Sequence, residues 1–323
     1  MNYVRAILLL LLGIIAFHSK AQKKRVWIDT DIMIGKFKHD VDDGLALILL
    51  LNDTNIQIEG ISFVHGVDYA AKVTDKLLNR FAPNRSILTH KGADDKKEFG
   101  NETAATKALV AALEKGPITI FALGPMTNIG TVLSQRPDLA SNVVDLTYCA
   151  GRVPGQRFNP GGGNFNFSDY NFDLDPEATQ KVLDADVPLL LSGYDCSDSL
   201  FLDLDDFKHL KESDDKVDRW LYRKMKSWLN LWKGFIGSKR GFIPFDASTV
   251  GALLYPSEFE VIPEIPARIE ILENDSKNTV KTKTKPYLLA DKEKGTRMVS
   301  YCSATQASFK KRLLKVLNHP DYQ

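Results

Sequence analysis

Val26-Trp27-Ile28-Asp29-Thr30-Asp31, followed by Asp40-Val41-Asp42-Asp43-Gly44-Leu45-Ala46-Leu47, decides the reading of this chain. The first stretch is an apolar strand that runs into acids; the second is an acid cluster that opens an apolar helix. Carboxylates crowded at one strand–helix junction repel each other and cost free energy unless positive charge sits among them. The occupant that suits such donors is a hard divalent cation, which prefers oxygen ligands. An Asp-rich helix start would account for one or two of the acids through the helix dipole, but not for so many. The junction reads as the floor of a metal-dependent active site.

Outward from it, strands and helices alternate. Strands are expected at Val26–Asp29, Ile56–Val64, Ile87–Thr89, Ile118–Ala122, Val143–Cys149 and Val187–Leu191. Helices are expected at Asp43–Leu51, Ala70–Phe81, Ala104–Lys115, Thr127–Gln135 and Pro176–Ala185. This order argues for a mostly parallel central sheet flanked by helices, an α/β fold. Such sheets carry their ligand sites at the carboxyl ends of strands, where Asp29 and Asp31 fall. After Asp195 the pattern changes. Helices at Leu204–Leu210, Asp215–Trp232 and Ala247–Leu254 precede strand pieces at Val261–Ile262, Ala267–Leu272, Pro286–Leu289 and Met298–Cys302. Ser303 reads as the cap of a last helix, Gln306–Leu317, and the polar, lysine-rich stretch Glu273–Lys285 as an exposed hairpin or loop. With no internal repeat and no Pro/Gly-rich linker, residues 22–323 read as a single domain.

The chain has 323 residues, 44% hydrophobic and 26% charged, as in ordinary soluble globular proteins. A formal net charge of +1 and the lack of a long basic tract argue against nucleic-acid binding. Arg5, the uncharged run Ala6–Phe17 and the small residues around Ser19-Lys20-Ala21 mark residues 1–21 as a signal peptide. The run is too short for a stable bilayer span. The expected product is a periplasmic or secreted protein without membrane insertion after cleavage. Cys149, Cys196 and Cys302 are odd in number and sit in apolar surroundings, so they read as buried free thiols.

An EF-hand loop starting at Asp40 would need Gly sixth and Glu twelfth; here Gly44 is fifth and Leu51 twelfth. Asp29-Thr30-Asp31 also begins as a haloacid-dehalogenase-like phosphohydrolase would, with Asp29 as nucleophile, but that chemistry needs a later acidic pair after an apolar strand, and its candidate, Asp214-Asp215, lies in a charged helical stretch. Three further segments carry chemistry. Phe121-Ala122-Leu123-Gly124-Pro125-Met126-Thr127-Asn128 is a strand ending in a tight turn, whose freed carbonyls suit calcium. Asn171-Phe172-Asp173-Leu174-Asp175-Pro176-Glu177-Ala178 follows the glycine-rich loop Pro160–Asn164. There Asp175 is a helix cap, and Asn171 is free to meet a ligand hydroxyl. Pro244-Phe245-Asp246-Ala247 places an acid at a helix start, as a cap or as a ligand.

Together these segments resemble the nucleoside hydrolase family, the inosine–uridine-preferring ribohydrolases, from about Trp27 to the C-terminal helix. The resemblance implies calcium-dependent hydrolysis of the N-glycosidic bond of nucleosides, in purine or pyrimidine salvage. It implies Asp31 as catalytic base and calcium ligand, with Asp43, the Leu123 main-chain carbonyl and Asp246 completing the metal set. It assigns Asp42, Asn164, Asp169 and Asn171 to the sugar, Asp169 standing where glutamate is usual. Trp228 and Trp232 match the region from which aromatics approach the base, although i,i+4 spacing also suits a core stripe. Family members often form homodimers or homotetramers. Three departures stand out: the long insertion Met33–His39 between the acids, read as an exposed loop; Val67 in place of a sugar-touching asparagine; and Phe245 in place of a histidine able to protonate a departing base. A non-catalytic protein that captures nucleosides or sugars stays open beside the hydrolase and the phosphohydrolase.

Overall fold

The computed structural model describes residues 23–161, 166–276 and 279–318. Residues 1–21, expected to be a signal peptide, and Asn164 lie outside the described residues. The chain runs β1 (Lys24–Thr30), α1 (Asp42–Asn52), β2 (Ile56–Phe63), α2 (Val67–Phe81), β3 (Thr89–Lys91), α3 (Ala104–Glu114), β4 (Ile118–Ala122), α4 (Thr127–Gln135) and β5 (Val143–Tyr148). It continues as α5 (Tyr170–Leu174), α6 (Pro176–Asp184), β6 (Leu189–Leu191), α7 (Tyr194–Ser197), α8 (Lys208–Glu212), α9 (Lys216–Leu231) and α10 (Phe245–Leu254). It closes with β7 (Phe259–Glu273), β8 (Thr284–Ala290), β9 (Arg297–Thr305) and α11 (Ala307–Asn318).

One sheet holds nine strands in the order β3-β2-β1-β4-β5-β6-β9-β7-β8. Every pairing from β3 to β9 is parallel, and β7 pairs antiparallel with both β9 and β8. β1 alternates as a strand covered on both faces must: Val26 and Ile28 enter one core, Trp27 the other. The strand order turns back on itself between β1 and β4, and in such sheets the crevice at that reversal binds ligand. Asp31 follows β1 and Leu123 follows β4, so both stand at that crevice.

Helices α1 and α10 are buried almost all round and pack on each other. Their apolar runs have no polar face to turn to water, so each is enclosed by neighbours. Both open with acids, which brings those acids together inside the protein.

Four expectations need correction. Cys196 and Cys302 are not free thiols but form a disulfide, with Cα atoms 5.0 Å apart; only Cys149 is free among the cysteines. Cys196 lies just past β6 and Cys302 in β9, neighbouring strands that sequence distance hides. Residues 259–273 form one strand rather than two pieces; a register shift between Ile262 and Ile265, with Glu264 at φ +51°, makes the bulge that accommodates its prolines. Ser303 lies within β9 and donates to the Glu260 carbonyl instead of capping α11. The 273–285 stretch is not simply exposed: Asn274, Ser276 and Lys285 are buried.

Candidate functional site

A cavity of about 310 Å³ opens at the carboxyl ends of β1, β4, β5 and β6. Asp31, Asp42, Asp43, Leu123, Asp169, Asn171, Trp228, Trp232 and Asp246 all line it. Residues from five separate stretches of sequence thus meet in one place.

Each is set by local structure. Asp31 is held where β1 ends by the turn after β4. A Cβ on Gly124 would lie 2.7 Å from Val64 and 3.0 Å from Asp31 Oδ1, so the turn fits only with glycine. Asn128, from the same turn, donates to Asp29 Oδ1 at 2.9 Å and to the Phe63 carbonyl at 3.1 Å, tying β1 to β2. Asp42 and Asp43 are the first residues of α1, where the helix dipole favours negative charge. Asp246 sits in the first turn of α10; its N–H reaches Asp42 Oδ2 at 3.4 Å, and Pro244, not Asp246, occupies the cap position. Asn171 Nδ2 donates to the carbonyls of Leu123 at 2.8 Å and Cys149 at 3.0 Å, which leaves its Oδ1 to accept from a ligand hydroxyl. Asp169 accepts from the Gly151 N–H at 2.8 Å.

The electrostatics are those of crowded anions. Burial first, then neighbouring carboxylates, pushes Asp31, Asp42, Asp43 and Asp246 well above the ordinary carboxylate range. The strongest neighbour is Asp40 for Asp31 and Asp42, Asp31 for Asp43, and Asp43 for Asp246. Burial raises Asp40 and Asp169 to about 6. Asp42 Oδ1 is buried without a hydrogen-bond partner. Carboxylate oxygens of Asp40, Asp42 and Asp43 lie within 4.8 Å of one another. An all-oxygen donor set, mutual repulsion and an orphaned carboxylate oxygen together fit a hard divalent cation.

Asp40, to which the family resemblance gives no role, also lines the cavity; its place at the head of the second acidic cluster is its signal in the sequence. Phe158, Phe167, Tyr170 and Tyr194 also line the cavity, and so does Phe245. Phe158 stacks on Tyr194 at 5.1 Å and Phe167 meets Trp232 at 5.4 Å. These aromatics are scattered in sequence and carry no motif. Trp232, at the start of a π-turn that extends α9, is both core and cavity wall. The Met33–His39 insertion is not merely a surface loop. Met33 and Ile34 are buried, and Lys38 and His39 line the cavity. Gly35, at φ +98°, lies so close to Trp220 of α9 that a Cβ would meet its ring at 2.8 Å. Val67, at the start of α2, is not among the cavity-lining residues.

Asp29 is unsuited to the nucleophile role. It is fully buried and held by Ser62 and Asn128, and burial raises it to about 7. Asp215, the other acid of that reading, caps α9.

A family model described as inosine-uridine preferring nucleoside hydrolase matches residues 26–310. Among curated relatives, an uncharacterized protein of Schizosaccharomyces pombe is 37% identical over 101 residues, 29% of this chain and 26% of that protein. A pyrimidine-specific ribonucleoside hydrolase, RihA, of Shigella boydii is 24% identical over 151 residues, 45% of each chain. The chain thus spans less than half the length of these curated relatives. Among solved structures, a plant nucleoside hydrolase, PpNRh1, superposes with a TM-score of 0.74 at 19% identity, covering 92% of this chain and 99% of that one. A purine-preferring ribonucleoside hydrolase from Gardnerella vaginalis gives 0.70 at 16% identity, with 91% and 99% covered. These structural likenesses concern the fold.

Proposed function

We propose that this chain, which belongs to the inosine-uridine preferring nucleoside hydrolase family, hydrolyses the N-glycosidic bond of nucleosides to ribose and free base, with Ca²⁺ as its metal. The observation that carries this reading is one cavity lined by six carboxylates, Leu123 and several aromatic rings. When bound, calcium would supply a Lewis acid that orients the sugar hydroxyls and acidifies a water. Asp31, Asp43, Asp246 and the Leu123 carbonyl would hold it, with Asp40 available beside them.

The side chains account for the chemistry. Asp31 accepts the proton of the attacking water. The water oxygen bonds to C1′, the C1′–N bond breaks, and its electron pair leaves with the base. Overall, the hydroxyl of water goes to C1′ and its hydrogen to the base nitrogen. Positive charge grows on the ribosyl ring during this step, and the surrounding carboxylates stabilise it. Asp42, Asp169 and Asn171 Oδ1 accept from sugar hydroxyls and fix the ring over Asp31. Trp228 and Trp232 offer faces on which a base can stack.

Export to a periplasm or the exterior is part of the proposal. The Cys196–Cys302 disulfide supports it, since such bonds persist in oxidising compartments. Hydrolysis assays over inosine, uridine, adenosine and a phosphoester panel, with and without chelator, test the function. Free base released and lost on chelation is the expected result. Phosphate release, or tight nucleoside binding without turnover, would overturn it.

A further inference from the structure

One wall of the cavity comes from Phe158 and from residues 167–171, which lie outside regular helix and strand apart from the start of α5. This wall carries Asp169 and Asn171. Lys285 of β8, with Asp275, Ser276 and Thr279 before it, grips it. Lys285, fully buried, places its Nζ 2.6 Å from Asp173 Oδ2, on a side chain 1% exposed. The Thr279 hydroxyl donates to the same carboxylate and lies 3.1 Å from Ser168 Oγ. Ser276 Oγ donates to the Asn166 carbonyl at 3.0 Å, and Asn166 Nδ2 to the Asp275 carbonyl at 2.9 Å. Asp173 in turn is joined to Asp169 directly, its N–H donating to the Asp169 carbonyl at 2.8 Å.

A buried ion pair is a weak stability device, because apolar residues of similar volume fill such a place equally well. What it supplies is direction. The two charges permit one register of α5 against β8, and that register carries Asp169 and Asn171 with it. We infer that Lys285, acting through Asp173, is a positioning residue that sets where Asp169 and Asn171 meet the substrate. Thr279 is the second point of the same clamp. The inference rests on the hydrolase reading for its kinetic readout only. Asp31, Asp43 and Asp246 stand on other elements, so the clamp acts chiefly on substrate affinity; its one tie to the metal set is the Asn171 donation to the Leu123 carbonyl at 2.8 Å.

The test uses the calcium-loaded full chain and two variants, Lys285→Met/Asp173→Leu and Thr279→Val. The double variant removes both charges together and is expected to melt near the parent. Its KM for the nucleosides the parent hydrolyses should rise about tenfold or more, as expected when groups that fix a substrate shift by a fraction of an ångström. Its calcium titration midpoint should move much less than its KM, since Asp31, Asp43 and Asp246 keep their places. Thr279→Val should raise KM several-fold. Amide hydrogen exchange across residues 166–174, read on the same proteins, should quicken in both. A double variant that melts, binds and exchanges like the parent overturns the inference. If the double variant does not fold, Thr279→Val decides alone, and parental KM and exchange in it have the same consequence. A parent inactive on every nucleoside sinks the hydrolase reading instead, and the exchange comparison still decides the clamp.

Discussion

Breaking the Cys196–Cys302 bond should destabilise the protein by an amount that follows from its span. The bridge closes a separation of 106 residues. Cross-linking a loop of that size removes about 16 cal/mol/K of chain entropy from the unfolded state, or about 4.8 kcal/mol at 25 °C. With an unfolding entropy of roughly 2.1 cal/mol/K per residue over about 300 residues, the loss corresponds to about 8 °C in Tm. The perturbation is Cys196→Ala/Cys302→Ala, or reduction of the parent, followed by calorimetry and urea titration. Thiol counting under denaturing conditions should find Cys149 alone before reduction and all three cysteines after it. Turnover at 25 °C should persist, because α7, which carries the cavity residue Tyr194, keeps other ties to β9. Tyr301 donates to Asp195 at 2.7 Å, and the Thr305 hydroxyl to the Cys196 carbonyl. A Tm unchanged within about 2 °C on verified reduction would refute the cross-link argument; that limit is set well below the roughly 8 °C expected.

Asp31→Asn removes the proton acceptor and should lower turnover by about 10²–10⁴-fold while circular dichroism stays native; a near-parental rate would contradict its role as base. Asp246→Ala should weaken calcium binding, read as a rightward shift of the calcium midpoint in thermal melts, and an unmoved midpoint would exclude it as a ligand. The pH dependence has a definite sign. Burial raises the carboxyls of Asp31, Asp40, Asp42, Asp43 and Asp246, so the folded, metal-free protein binds more protons than the unfolded chain. Their stabilising contribution is present below the unfolded carboxylate range and is lost as pH rises, through about 6 for Asp40 and higher for the others. In EDTA the Tm should therefore fall from pH 5 to pH 8, and calcium should flatten that fall, raising Tm most at pH 8; a calcium effect independent of pH would exclude the cluster as its site.

Much of this protein is legible in local patterns. β4 and α4 have the bounds read from sequence, and β1, α1 and α3 differ from theirs by three residues or fewer at each end. These elements announce themselves by periodicity and by turn or cap residues at their ends, which are properties of neighbours in the chain. The acids Asp31, Asp42, Asp43 and Asp246, and Asn171 beside them, are visible for the same reason: polar residues interrupt apolar runs where a strand ends or a helix begins. What the chain alone leaves undecided depends on which strands lie side by side. Cys196 meets Cys302 because β6 pairs with β9, and Lys285 meets Asp173 across 112 residues because β8 packs against α5. The lysines that made 273–285 read as a solvated loop include one that is fully buried, since a partner charge distant in sequence removes the penalty that would otherwise keep it in water. Residue type and spacing thus determined the strands, the helices and the acids, whereas the disulfide, the clamp and the aromatic wall were decided by sheet order, a global property to which no short stretch of sequence corresponds.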